Sequence, residues 1–207
     1  QEAMDAALVA YDRSGDQHYD VISAFIKSVR GSDVDAALHY LARMVIAGED
    51  PRFIARRLVI LAAEDIGMAD PQGLVVAQAG ADAVSFVGMP EGRIILAEVV
   101  TYLATAPKSN RSYLAINQAI ADVKEGRSGP VPTHLRNPTS SLVEGLGYGK
   151  GYVYAHDEPH GVAEMEYLPE ALSGTRYYEP TAHGHEKDVS SRLDRIRALL
   201  GRGKNAQ

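Results

Sequence analysis

The sequence predicts a mainly α fold: a helical bundle, then an irregular segment rich in Tyr, Gly and Pro, then a final helix. Three observations lead there. Between residues 20 and 126 apolar residues recur at the spacing of one helical face. Most of these runs open at an Asp, Ser or Pro and close at a Gly or Pro. From Ser128 onward that periodicity is lost.

Taken in order, Asp20 reads as a helix cap, and Ile22, Phe25, Ile26 and Val29 line a first helix that stops at Gly31. Ser32 followed by Asp35 resembles a capping box for a second helix, with a stripe of Val34, Ala37, Leu38, Leu41 and Val45 before Gly48. Asp50-Pro51 opens a third. Proline at the first helical position has no amide hydrogen to lose, and the aspartate accepts from orphan amides. This helix is expected to run to about Ile66, and the all-round apolar stretch Leu58 to Ala63 makes it the expected central helix. Asp70-Pro71 repeats the start signal. Pro90 with Glu91 opens another helix, faced by Ile95, Leu96, Val99, Tyr102 and Leu103 and ended by Pro107. Ser109 caps a further one, with a stripe of Tyr113, Ile116, Ile120 and Val123 that ends at Gly126. Short connections favour antiparallel neighbours in a compact bundle.

After Ser128 come Gly129, Pro130, Pro132 and Pro138, and six of the eleven tyrosines fall between Tyr148 and Tyr178. Tyr152-Val153-Tyr154 and Arg176-Tyr177-Tyr178 are expected as short strands or extended segments, shapes that suit aromatic and β-branched residues. The last helix is expected over about Glu186 to Leu200. Residues 1–127 thus read as the bundle, and residues 128–207 as an extension packed on it as one unit.

The chain's 207 residues can bury a real core, and 45% hydrophobic with 23% charged residues is a globular composition. No apolar run reaches the roughly 18 residues that span a bilayer. Gln1 to Arg13 lacks the basic and apolar regions of a secretion signal, so a cytoplasmic location is expected and no membrane partner. The absence of cysteine removes disulfides, thiolate zinc sites and cysteine nucleophiles. A net charge of −6 argues against the whole surface clamping nucleic acid, so any such contact is local.

Candidates for chemistry are few. Gly145-Leu-Gly-Tyr-Gly-Lys-Gly151 invites a phosphate-cradling reading, but the first glycine of a P-loop would fall at Glu144, and Gly151 stands where a magnesium-binding Ser or Thr belongs. It reads as a turn. His134, His156, His160, His183 and His185 cluster late, yet Pro159 spoils the spacing of His156 and His160, and no paired carboxylates accompany His183 and His185. No metal site is expected. Glu64 and Asp65 are adjacent on a helix and point about 100 degrees apart, so they read as partners for buried charges rather than as an acid–base pair. Arg52, Arg56, Arg57, Lys108, Arg111 and Arg136 form small basic groups that could grip DNA phosphates. The competing reading is surface ion pairing. No catalytic residue is identified.

The segments from His18 to Gly31, Ala47 to Leu58 and Ala63 to Pro71 together resemble the replication-associated recombination ATPases, also called RarA or MgsA. Further matches are Ala106-Pro-Lys-Ser-Asn110, His134-Leu-Arg-Asn137, Gly147-Tyr-Gly, Tyr154-Ala-His-Asp157 and Thr175-Arg-Tyr-Tyr178. The resemblance covers roughly residues 11 to 200 and extends to the Werner helicase-interacting protein. It implies a C-terminal region cut away from an AAA+ motor that uses ATP and magnesium, so neither cofactor is expected here. It further implies a bundle like a clamp-loader collar that assembles a homotetramer. The parent would act on DNA at stalled forks or ends, near the nucleoid, with replication-fork proteins such as single-strand-binding protein as partners. The alternative is a DNA- or protein-binding module that uses the local basic patches.

Overall fold

The computed structural model describes residues 16–137 and 145–202. The readings made on Gln1 to Arg13 and on Pro138 lie outside the described residues. The described residues contain seven α-helices and no strand: α1 Asp16–Arg30, α2 Val34–Ile46, α3 Pro51–Leu61, α4 Gln72–Val87, α5 Gly92–Thr105, α6 Arg111–Lys124 and α7 Glu186–Leu199. The mainly α expectation holds. Tyr152 to Tyr154 and Arg176 to Tyr178 form neither strand nor helix.

The packing divides into two compact units. Of the described residues, the first takes those within 1–113 and 181–186, and the second those within 114–180 and 187–207. In the first, α5 touches α1, α2, α3 and α4 and is the centre. Its Leu96, Val99, Val100 and Leu103 are buried together with Phe25 and Val29 of α1, Leu41 and Met44 of α2, and Ile54 and Leu58 of α3. Gly80 of α4 is buried beside it: a Cβ there would lie 2.3 Å from Val99 Cγ2, so glycine sets the close approach of α4 to α5. The expectation that α3 is central is therefore corrected. Ile60 of α3 and Ala63 just beyond it are exposed, which an apolar run alone could not reveal.

Local starts and stops follow the expected chemistry at α3 and α4. Asp50 Oδ1 accepts from Arg52 N at 2.9 Å, and Asp70 Oδ1 from Gln72 N at 3.1 Å. Two caps differ from expectation. Asp20 lies within α1, whose first turns are held by His18 packing 3.4 Å from Glu49 Oε2. Ser32 does not cap α2. It takes the left-handed φ of 64° that terminates α1, and Asp33 caps α2 by accepting from Ala36 N at 2.9 Å.

After Leu61 the chain widens into a π-helical turn, Ala62–Ile66, then tightens into a 3-10 turn, Gly67–Ala69. The carbonyl of Asp65 accepts from Ser109 N at 2.8 Å, which fastens this turn to the α5–α6 connection. Residues 181–186 complete the unit: His185 N donates to Ala69 O at 2.7 Å, and the buried Glu186 accepts from Thr181 N and Oγ1 at 2.8 and 2.6 Å.

The second unit is built differently. Its buried apolar residues among those described are Ala163 and Leu172 alone, and much of the rest is joined by polar contacts across short 3-10 turns at Thr133–Leu135, Ala155–Asp157 and Glu170–Leu172.

Candidate functional site

The stripe expected to bury α6 faces outward. Ile116 is 56% and Val123 61% exposed, with Tyr113, Leu114 and Ile120 also open. The one buried side chain of this helix is Asp122. It accepts from Tyr177 Oη at 2.8 Å, from Gln118 Nε2 at 3.1 Å and from Arg127 Nη2. The Tyr177 and Arg127 hydrogen bonds hold the Asp122 carboxyl below the usual carboxylate range, and the same contact raises the Tyr177 phenol. This helix is therefore inside out: its carboxylate is anchored within the unit and its isoleucines meet solvent. A second open apolar surface runs along α4, with Leu74, Val75 and Val87 exposed and Phe86 at 92%.

The basic candidates fare unequally. Arg52 and Arg56 are exposed one turn apart at the start of α3, and the nearest carboxylate to Arg52 is Asp50, 3.8 Å away. Arg57 is half-buried and its Nε has no partner among the described residues. Lys108 is committed: Nζ donates to Ala104 O, Ala106 O and Ser32 Oγ at 3.0, 2.6 and 2.9 Å, closing the C-terminus of α5, and burial lowers its pKa. Arg111 is exposed. Arg136, in the second unit, stacks 5.0 Å from the Tyr148 ring centre and donates to Val131 O and Tyr148 Oη. The structure thus brings Arg52 and Arg56 together in the first unit and places Arg136 in the second.

Glu64 and Asp65 meet a partner the sequence reading did not name. Arg30 Nε donates to Asp65 Oδ1 at 2.7 Å, and its Nη2 lies 3.6 Å from Glu64 Oε1. That bond raises the Arg30 pKa further. The carboxylates serve as anchors between α1 and the π-turn. Gly145 to Gly151 is a run of turns in which Gly147, Gly149 and Gly151 take positive φ. His134 Nε2 lies 2.8 Å from Glu166 O and His183 Nδ1 3.0 Å from Lys108 O, and no group of three potential ligands converges among the described residues. No helix among the described residues is long and apolar enough to cross a membrane.

Sequence reasoning passed over Phe86 and the arginines at 197 and 202, and it read Arg176 only as part of an extended segment and a family motif. The signal for Phe86 was present, since α4 reads as small or apolar nearly all round. Arg197 and Arg202 gave none, because their partners Tyr178, Glu179 and Glu166 are distant in sequence.

The sequence that builds this helical bundle matches families of AAA+ ATPase C-terminal regions. The family described as the AAA C-terminal domain matches residues 1–30, and the one described as the MgsA AAA+ ATPase C terminal matches residues 31–197. The chain belongs to the MgsA family. It is 47% identical over 184 residues to replication-associated recombination protein A of Escherichia coli, covering 88% of this chain and 41% of that protein. It is 57% identical over 200 residues to an uncharacterized AAA domain-containing protein of Mycobacterium tuberculosis, covering 97% of this chain and 44% of that one. It is 42% identical over 173 residues to ATPase WRNIP1 of Dictyostelium discoideum, covering 82% of this chain and 19% of that one. The chain thus spans less than half the length of these relatives.

Proposed function

We propose that this chain is the assembly element of an AAA+ ATPase of replication-associated recombination, and that it joins four copies into a homotetramer. The inverted helix α6 carries the reading. An outward stripe at positions 116, 120 and 123 repeats at the spacing of a coiled-coil seam, and exposing it to water is unfavourable unless another surface covers it. The small apolar core of the second unit supports the same reading, because such units gain stability from a partner. In the full protein the ATP- and magnesium-dependent motor would lie in the part these relatives have beyond the matched region. The assembly would act on DNA at stalled forks or ends, in the cytoplasm at the nucleoid, alongside replication-fork proteins such as single-strand-binding protein. A second reading, direct DNA contact, is favoured by the open pair Arg52 and Arg56.

Sedimentation equilibrium over a wide concentration range tests the assembly. A tetramer that the double substitution Ile116→Glu with Ile120→Glu reduces to monomer, with helical circular dichroism retained, is the expected result. A wild-type chain that stays monomeric at the highest concentration overturns it.

A further inference from the structure

The second unit holds a cavity of about 570 Å³ that the assembly reading does not use. Arg176, Arg197, Arg202, Glu166, Tyr167 and Tyr178 line part of it. Three arginines and one carboxylate, Glu166, thus share the lining. That carboxylate is occupied: Glu166 accepts from Leu168 N at 2.9 Å, from Ser173 Oγ at 3.2 Å and from Arg202 Nη2, and the Leu168 bond leads the contacts that hold its pKa down. Arg197 donates to Tyr178 O at 2.7 Å and lies 3.5 Å from Glu179. Arg176 is different. Its contact is a 3.3 Å hydrogen bond from Nη2 to the carbonyl of Arg202, and no carboxylate pairs with it among the described residues. It is also exposed, so its remaining donors point toward water or a ligand.

Arginine's planar fork suits phosphate oxygens, and a tyrosine ring offers a stacking face to any base. The volume lies in the range of sites for small organic ligands, about 300–1,000 Å³. We propose that this cavity binds a nucleotide, with the phosphate on Arg176 and the base against the tyrosine-lined wall. Arg197 and Arg202, held by their own carboxylates, add positive field without leaving their places. The motif Thr175-Arg-Tyr-Tyr178 supplies both the guanidinium that no carboxylate pairs with among the described residues and a ring of the wall. The ligand is either a free nucleotide or a unit of a single strand, two sources of one chemistry.

This inference is independent of the assembly reading, since a monomer would keep the whole cavity. The test is fluorescence anisotropy with labelled oligodeoxythymidylate of ten residues, with unlabelled thymidine monophosphate, inorganic phosphate and an oligoglutamate peptide as competitors. Arg176→Ala is expected to weaken strand binding at least tenfold, Arg176→Lys to rescue it only in part, and Arg192→Ala, on the exposed side of α7, to leave it within twofold. Thymidine monophosphate competing as well as the strand assigns a free nucleotide, and the strand binding more tightly assigns a single strand. Inorganic phosphate competing as well as the nucleotide overturns the base-binding half. Oligoglutamate displacing the strand while the nucleotide does not, or an Arg176→Ala change under twofold with the fold intact, overturns the proposal.

Discussion

Asp122 shows how one residue decides which way a helix faces. With Tyr177, Gln118 and Arg127 all donating to it, the carboxylate is worth more inside the unit than the isoleucines of the same helix. Its folded pKa lies below the unfolded value of about 3.9, so its stabilising effect is complete above that value and is lost as pH falls through the folded one. Glu166, also held low, acts in the same direction. The melting temperature is therefore expected to drop between pH 6 and pH 3. Asp122→Asn should lower it at pH 6 and shrink that acid-induced drop, because the charged acceptor is gone at both pH values. A variant whose acid-induced drop equals that of the wild type, followed by circular dichroism, would remove Asp122 from this role.

The π-turn that ends α3 is the element on which the first unit's connections converge. Gly67 follows it with φ 50°, and a Cβ there would lie 2.8 Å from Ser109 O, a backbone atom that cannot yield as a side chain would. Gly67→Ala is expected to cost about 2–3 kcal/mol and to lower the melting temperature by roughly 5–10 °C. A loss under half a kcal/mol would mean that the turn relaxes freely. Much of this unit was legible in the sequence, since Asp50 and Asp70 opened their helices by the expected hydrogen bonds and the apolar spacing marked the helices. The central helix was misplaced because apolar runs show that a segment can be buried, not how many neighbours it gains. The α6 stripe was found in sequence but its direction was not. A repeat of 3–4 residues gives the face, while the tie that turns it comes from Tyr177, 55 positions away. The arginine cavity was invisible for the same reason, its wall being assembled from Glu166, Arg176, Arg197 and Arg202 across several turns.

For the whole chain, the two readings of function differ in their response to salt. Association through Ile116, Ile120, Val123 and the open face of α4 rests on apolar burial, which salt leaves unchanged or strengthens. The assembly's dissociation constant is therefore expected to change less than about threefold between 0.1 and 0.5 M sodium chloride. DNA contact through Arg52 and Arg56 rests on displaced counterions. With two phosphates neutralised, duplex affinity should fall about twentyfold over the same range. The double reversal Arg52→Glu with Arg56→Glu should abolish that salt-sensitive fraction without altering the sedimentation mass, since both side chains are exposed on α3, away from the α6 stripe in sequence. Sedimentation and duplex titration on the same samples separate the two. A mass distribution that collapses with salt would place the assembly on ion pairs instead of apolar faces. Duplex affinity indifferent to both salt and reversal would leave α3 no part in DNA contact.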